Sequence, residues 1–179
     1  MKCTVYMAIS LDGFIARKNG DLDWLPAFGA NEEDYGYHTF MESVDALVMG
    51  RNTFTKVLSF GGKWLYGSKP VIVLSSQPCD IPDSLPDSVE NLHGDMGDLV
   101  AGLLQRGFEH LYVDGGKTAQ MFLNNDLIDR YILTVIPVLI GTGISLFGPI
   151  STDRRLKLAD HRSWPSGLLQ LTYDVTKTN

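Results

Sequence analysis

Short apolar runs alternate with helically spaced segments along this chain. Residues 3–9 (Cys-Thr-Val-Tyr-Met-Ala-Ile) are rich in β-branched and aromatic side chains and predict a strand, closed by the turn chemistry of Ser10-Leu11-Asp12-Gly13. Residues 44–49, 70–74 and 109–113 are short apolar runs bounded by Gly, Pro, Ser or Asp. Runs of that kind suit strands buried on both faces of a largely parallel sheet. From 95 to 106, Met96, Leu99, Val100, Leu103 and Leu104 recur at helical spacing, with Asp95 as N-cap and Gly107 as the residue that stops the helix. Weaker helical patterns cover 32–43 and 52–59, and another follows the Gly pair over 117–124.

The last third differs. Residues 128–140 predict one long apolar strand, which Pro137 kinks or places along a sheet edge. Residues 154–160 and 168–175 alternate, and with His161–Gly167 between them they predict an antiparallel hairpin. The whole reads β-α-β-α-β, a loop over 77–87, β-α-β-α-β, then an antiparallel end. That order predicts a mixed sheet with helices on both faces.

Composition adds boundaries. The chain has 179 residues, 44% hydrophobic and 20% charged, which suits one globular domain over 1–179. A net charge of -6 disfavours nucleic acid as the main partner. No run approaches the ~20 apolar residues of a membrane span, and the N-terminus lacks signal-peptide features, so a cytoplasmic enzyme is expected. Cys3 and Cys79 are too few for a disulfide framework, and His38, His93, His110 and His161 have no metal-ligand spacing, so no metal is expected.

Two strand ends carry chemistry. Gly50-Arg51-Asn52-Thr53 follows one buried run and Asp114-Gly115-Gly116-Lys117-Thr118 another, each leading into a helix. Glycine lets backbone approach a ligand, and a helix start offers free N–H groups to an anion. Arg51 adds a charge shaped for phosphate, and Ser75-Ser76 add hydroxyls after the 70–74 run. Each element alone is equally a simple turn, while together they suit a dinucleotide. G-x-G-x-x-G is absent after the first strand, which disfavours a standard Rossmann dehydrogenase.

Val48-Met49-Gly50-Arg51-Asn52-Thr53 and Tyr112-Val113-Asp114-Gly115-Gly116 resemble two elements of the dihydrofolate reductase superfamily. Ser10-Leu11-Asp12-Gly13-Phe14-Ile15-Ala16, and the stretch from Leu133 through Pro137 to Gly141-Thr142-Gly143, are similar to the reductase domain of riboflavin biosynthesis. The resemblance implies a three-layer α/β/α fold with a mixed, mostly parallel eight-stranded sheet and antiparallel C-terminal strands. It implies NADPH held by Ala8, Ile15, Gly50, Arg51, Thr53, Ser75, Ser76, Gly115, Gly116, Lys117 and Thr118. It also implies a reductase of a C=N bond in a small heterocycle, without the zinc deaminase domain of the bifunctional enzyme, and a homodimer built through 131–140.

Hydride delivery to C=N leaves a nitrogen that needs a proton, and a carboxylate with a raised pKa can hold the proton source. Asp12, Asp21, Asp23, Glu32, Glu33 and Asp34 are candidates. Asp23-Trp24-Leu25-Pro26 resembles the Trp-x-x-Pro stretch of dihydrofolate reductases, and alignment back from Gly50 puts Asp34 on their acidic position, with Asn31 capping its helix. Asp34 and Asp12 are the catalytic candidates, and Trp24, Asp34 and Thr134 the substrate-binding ones. Asp12 could equally close its turn, Asp34 cap its helix, and Trp24 and Thr134 serve only packing and the strand. Helix 32–43 holds no Lys or Arg, which weakens a true dihydrofolate reductase, the first alternative. It offers no clamp for a ribose phosphate either. The alternative of another class is an NADPH-binding sensor or assembly protein.

Overall fold

The computed structural model describes residues 1–25 and 33–176. Its central strand, β1 (Lys2–Ser10), alternates between two layers. Cys3, Val5, Met7 and Ile9 face one core and Tyr6 the other, as the period of two requires. After the short β2 (Phe14–Ala16) come α1 (Tyr37–Ser43), β3 (Ala46–Gly50), α2 (Arg51–Ser59) and β4 (Val71–Leu74). Then follow β5 (Val89–Leu92), α3 (Met96–Gln105), β6 (His110–Asp114), α4 (Gly116–Asn124) and β7 (Arg130–Ile136), and finally β8 (Ile144–Ser145), β9 (Leu156–Ser163) and β10 (Leu169–Val175).

Eight strands form one sheet in the order β5-β4-β3-β6-β1-β7-β10-β9, while β2 and β8 pair separately. The strands from β5 to β7 are parallel, and β10 and β9 are antiparallel. Leu103 of α3 and Ala119, Phe122 and Leu123 of α4 pack on the face carrying Val5, Val48, Ile72 and Val113. Phe40 of α1 and Phe54 of α2 pack on the other, against Leu47, Met49, Val71, Val73 and Tyr112. The expected three-layer α/β/α fold is the observed one.

Asp95 caps α3 by accepting from the Gly97 N–H at 2.7 Å, and Gly107 leaves it at a φ of 85°. Other expectations need correction. The apolar run 128–140 forms regular strand only over Arg130–Ile136. Pro137 has no N–H to pair, so the ladder stops there. β7 does not lie at an edge, because β1 and β10 flank it. Over the described part of that pattern, 33–43, helix begins only at Tyr37, after Gly36 in the left-handed region at a φ of 83°. Asn31, Glu32 and Pro26 lie outside the described residues. The hairpin connection is shorter than His161–Gly167, since β9 continues to Ser163. β2 and β8, three and two residues long, gave no periodic signal.

Candidate active site

Two turns meet at the carboxyl end of the sheet. β3 and β6 are parallel neighbours with Met49 opposite Asp114, so Gly50 and Gly115 leave the sheet side by side. Gly50 is the N-cap of α2 and Gly115 of α4, and no side chain caps either helix. Their first N–H groups thus remain for a ligand, with both positive dipole ends aimed at one region. The turns approach so closely that side chains would collide. Gly115 has a φ of 87°, and a Cβ there would overlap Thr53 Oγ1. A Cβ on Gly50 would lie 3.1 Å from Thr118 Oγ1, and one on Gly116 would lie 2.9 Å from Ile15 Cδ1.

Arg51 and Lys117 stand exposed in the first turns of α2 and α4. A cation at that end opposes the helix dipole. An anionic ligand between the two helices would reverse that cost. Ser75 and Ser76 follow β4, whose last residue Leu74 pairs with Gly50. Gly50, Arg51, Thr53, Ser75, Ser76, Gly115, Gly116, Lys117, Thr118 and Ile15 are thus gathered around the paired helix starts. Uncapped N–H groups, glycine turns and two exposed cations fit the phosphates of a dinucleotide such as NADPH.

Beside this cradle, on the α1 and α2 face, lies an aromatic cluster. Tyr112 and Asp114, two residues apart on β6, point the same way. The Tyr112 hydroxyl donates to the Tyr6 carbonyl at 3.0 Å and reaches the Asp114 carboxyl. Tyr6 stacks on Phe40 with ring centres 4.7 Å apart and meets Tyr37 edge-on at 5.6 Å. Tyr66 stands against Trp64 at 5.1 Å. Asp114 acts electrostatically on Tyr37, Tyr66 and Tyr112, whose hydroxyls burial and this carboxyl push well above the ordinary range. Burial pushes Asp114 itself up to about 6, against the Gly115 N–H and Tyr112 hydroxyl, which favour its charge. Among the described residues, no cation contributes to that balance.

The carboxylates singled out from sequence sit differently. Asp34 is exposed and accepts from the Gly36 N–H at 2.9 Å and the His38 N–H at 2.9 Å. Those bonds hold it below the usual carboxylate range. Asp12 accepts from Ser10 Oγ at 2.6 Å and from the Gly141 N–H at 2.7 Å, which lowers its pKa and ties the turn after β1 to the segment after β7. Both are stabilised as anions, unlike Asp114.

Ala8, Thr134 and Gln170 form one row across β1, β7 and β10. The Gln170 amide nitrogen lies 3.0 Å from Thr134 Oγ1, 3.1 Å from the Tyr6 hydroxyl and 3.1 Å from the Tyr35 carbonyl. Its two N–H groups serve three acceptors, two at a time. Trp24 packs in the cluster that includes Ala8 and Tyr35, and its buried indole N–H has no partner. Sequence reasoning placed Asp114 in a glycine turn but not among the candidate acids, and did not single out Tyr6, Tyr37, Tyr66 or Gln170. The Tyr112-x-Asp114 alternation was the one local signal, placing a carboxyl and a phenol on one face. Among the described residues, no group of three His, Cys, Asp or Glu could hold a metal ion.

A model of the RibD C-terminal domain matches residues 1–170. A solved Shewanella sp. PV-4 protein, described as a candidate riboflavin biosynthesis protein, superposes with a TM-score of 0.93 at 43% identity, covering 99% of this chain and 100% of that one. The Bacillus subtilis (strain 168) protein YwjB is 34% identical over 158 residues, 88% of each chain. The Thermotoga maritima diaminohydroxyphosphoribosylaminopyrimidine deaminase/5-amino-6-(5-phosphoribosylamino)uracil reductase shares the fold with a TM-score of 0.71 at 18% identity; 98% of this chain spans 56% of that one.

The raised Asp114 pKa has a stability consequence. The folded chain holds that proton up to about 6, whereas the unfolded chain releases it near the ordinary 3.8. Stability is therefore lost as pH rises between those values, by about 2–3 kcal/mol in all. Asp114→Asn is expected to be more stable than the parent in urea unfolding at pH 8, with the gap closing near pH 4. A gap that is flat with pH would show that Asp114 titrates normally.

Proposed function

The chain belongs to the RibD C-terminal domain family, and on that premise we propose that it is an NADPH-dependent reductase of a C=N bond in a small nitrogen heterocycle. The reaction most like it is reduction of 5-amino-6-(5-phosphoribosylamino)uracil. The observation that carries the reading is the juxtaposition of two uncapped helix starts with a buried carboxyl. Gly50, Thr53, Gly115, Gly116 and Thr118 would hold the pyrophosphate, with Ala8 and Ile15 toward the nicotinamide and Ser75 and Ser76 toward the adenosine. Arg51 would take the extra phosphate through charge-assisted hydrogen bonds, and Lys117 adds a second cation.

NADPH supplies a hydride when bound. The protein must then supply a proton to the nitrogen of the reduced bond, and Asp114 is the group placed to hold one near neutral pH. A protonated Asp114 can donate to the Tyr112 hydroxyl, which in turn donates to the Tyr6 carbonyl, so the acid is oriented before use. The aromatic side chains around Tyr112 keep water from the carboxyl. Asp34 and Asp12 enter this proposal as carboxylates that set the start of α1 and the turn after β1, and Trp24 and Thr134 as substrate-side groups close to Ala8. Dihydrofolate reduction is the second reading. The absence of Lys and Arg from 32–43 weighs against it, because a glutamate tail needs a cation.

We also propose a homodimer, though not through the strand part of 131–140, which β1 and β10 enclose. Its support is the exposed apolar set Leu139, Ile144, Phe147 and Ile150 after β7. Solution scattering should return the mass of two chains, and a single-chain mass at micromolar concentration removes it.

Two enzymatic outcomes are expected. Arg51→Ala should weaken NADPH binding at least tenfold while changing NADH binding little; equal losses would place Arg51 away from the extra phosphate. NADPH oxidation with a ribosylaminopyrimidine should fall as pH rises through about 6. It should drop on the order of a hundredfold in Asp114→Asn and far less in Asp34→Asn. The reverse ranking would return the acid to Asp34.

A further inference from the structure

The ribbon of β2 and β8 stands apart from the eight-stranded sheet, with Phe14 opposite Ser145 and Ala16 opposite Ile144. Two strands this short have little stability of their own. The ribbon is held from two sides instead. On the β1 side the holder is Asp12. One carboxylate oxygen accepts from Ser10 Oγ at 2.6 Å and from the Ile140 N–H at 3.3 Å, and the other accepts from the Gly141 N–H at 2.7 Å. Ser10 Oγ in turn accepts from the Phe14 N–H at 3.0 Å. One side chain thus fastens the two segments that lead into the ribbon. On the α4 side the holder is Gln120. Its amide nitrogen donates to the Ser145 and Leu146 carbonyls, each at 3.1 Å.

Held this way, the ribbon lies against the first turn of α4. A Cβ on Gly116 would come 2.9 Å from Ile15 Cδ1 and 3.0 Å from the Ser145 carbonyl oxygen. The strand order β4-β3-β6-β1 shows which end of the cradle this is. Ser75 and Ser76 follow β4 at one end, the starts of α2 and α4 lie in the middle, and the turn carrying Asp12 follows β1 at the other. A dinucleotide running from β4 to β1 meets the ribbon only with its second half. Asp12 is no proton source there, because three donors stabilise its anion.

We propose that Asp12 is a positioning residue for the cofactor. By clasping the ribbon to the end of β1 it sets Ile15 against the start of α4, where the nicotinamide half of the dinucleotide would lie, and it does not act on the adenosine half. The inference rests on the reading of the paired helix starts as a dinucleotide cradle. A wall already in place adds no ordering cost to binding, whereas a loose ribbon must be ordered each time a ligand arrives.

Two ligands separate the halves. NADP+ spans both, and adenosine 2′,5′-bisphosphate carries only the adenosine end. Each is titrated by calorimetry against the full chain, against Asp12→Asn, and against Gln120→Met, which loosens the same ribbon from α4. NADP+ is expected to bind about tenfold more weakly to either variant, with the bisphosphate changing by less than about twofold. The Gln120→Met result stands where Asp12→Asn is too unstable to purify. A general folding defect would weaken both ligands alike, so equal losses overturn the proposal, and so does unchanged NADP+ affinity. If the parent chain binds neither ligand, the cradle is removed and the positioning role with it. Tight binding of both ligands by every variant keeps the cradle and removes only the role of Asp12.

Discussion

The close approach of two glycine turns governs this molecule. Parallel pairing of β3 with β6 brings Gly50 beside Thr118 and Gly115 beside Thr53. A side chain at Gly115 would part the turns, since its Cβ would overlap a hydroxyl and its φ of 87° is costly for other residues. The same register sets Asp114 at the last position of β6, opposite Met49 and one residue before the turn. The proposed cofactor cradle and the proposed acid are thus products of one packing constraint. Moving either turn moves both.

The aromatic cluster obeys a second constraint, the cost of keeping charge from water. A carboxyl enclosed by protein with no cation nearby favours its neutral form. Asp34 and Asp12 show the contrast within one chain, because backbone N–H groups stabilise their anions. Three acidic residues near one end of a sheet are therefore sorted by environment. Two act as ties for turns and helix starts, and one retains a proton into the neutral range. The instability that Asp114 brings at neutral pH is the kind of local strain expected where a site needs a group its surroundings disfavour.

Much of the architecture was legible in residue order. The apolar runs ending in Gly50 and in Asp114-Gly115 mark strands, and Asp95 and Gly107 bracket α3 as their chemistry requires. Pro137 signalled a break, but an edge and a chain stop look alike from sequence, and only the pairing of β1 and β10 with β7 separates them. β2 and β8 are too short for periodicity, since their pairing depends on contact between distant segments. The same holds for the aromatic cluster. Tyr112 and Asp114 share a face by alternation, yet Tyr37, Tyr66 and Gln170 arrive from separate elements. A carboxylate's environment, unlike its position, is not written in its neighbours along the chain, which is why attention fell first on Asp34.

The central claim is that burial lets Asp114 carry its proton toward neutral pH. The most direct measurement is a carbon-13 NMR titration of the aspartate carboxyls, with the Asp114 signal assigned by its loss in Asp114→Asn. The account predicts a midpoint near 6 for Asp114, with Asp12 and Asp34 titrating below the ordinary aspartate value. An Asp114 midpoint at or below that ordinary value would mean that water or a cation reaches the carboxyl, and would contradict its role as the acid.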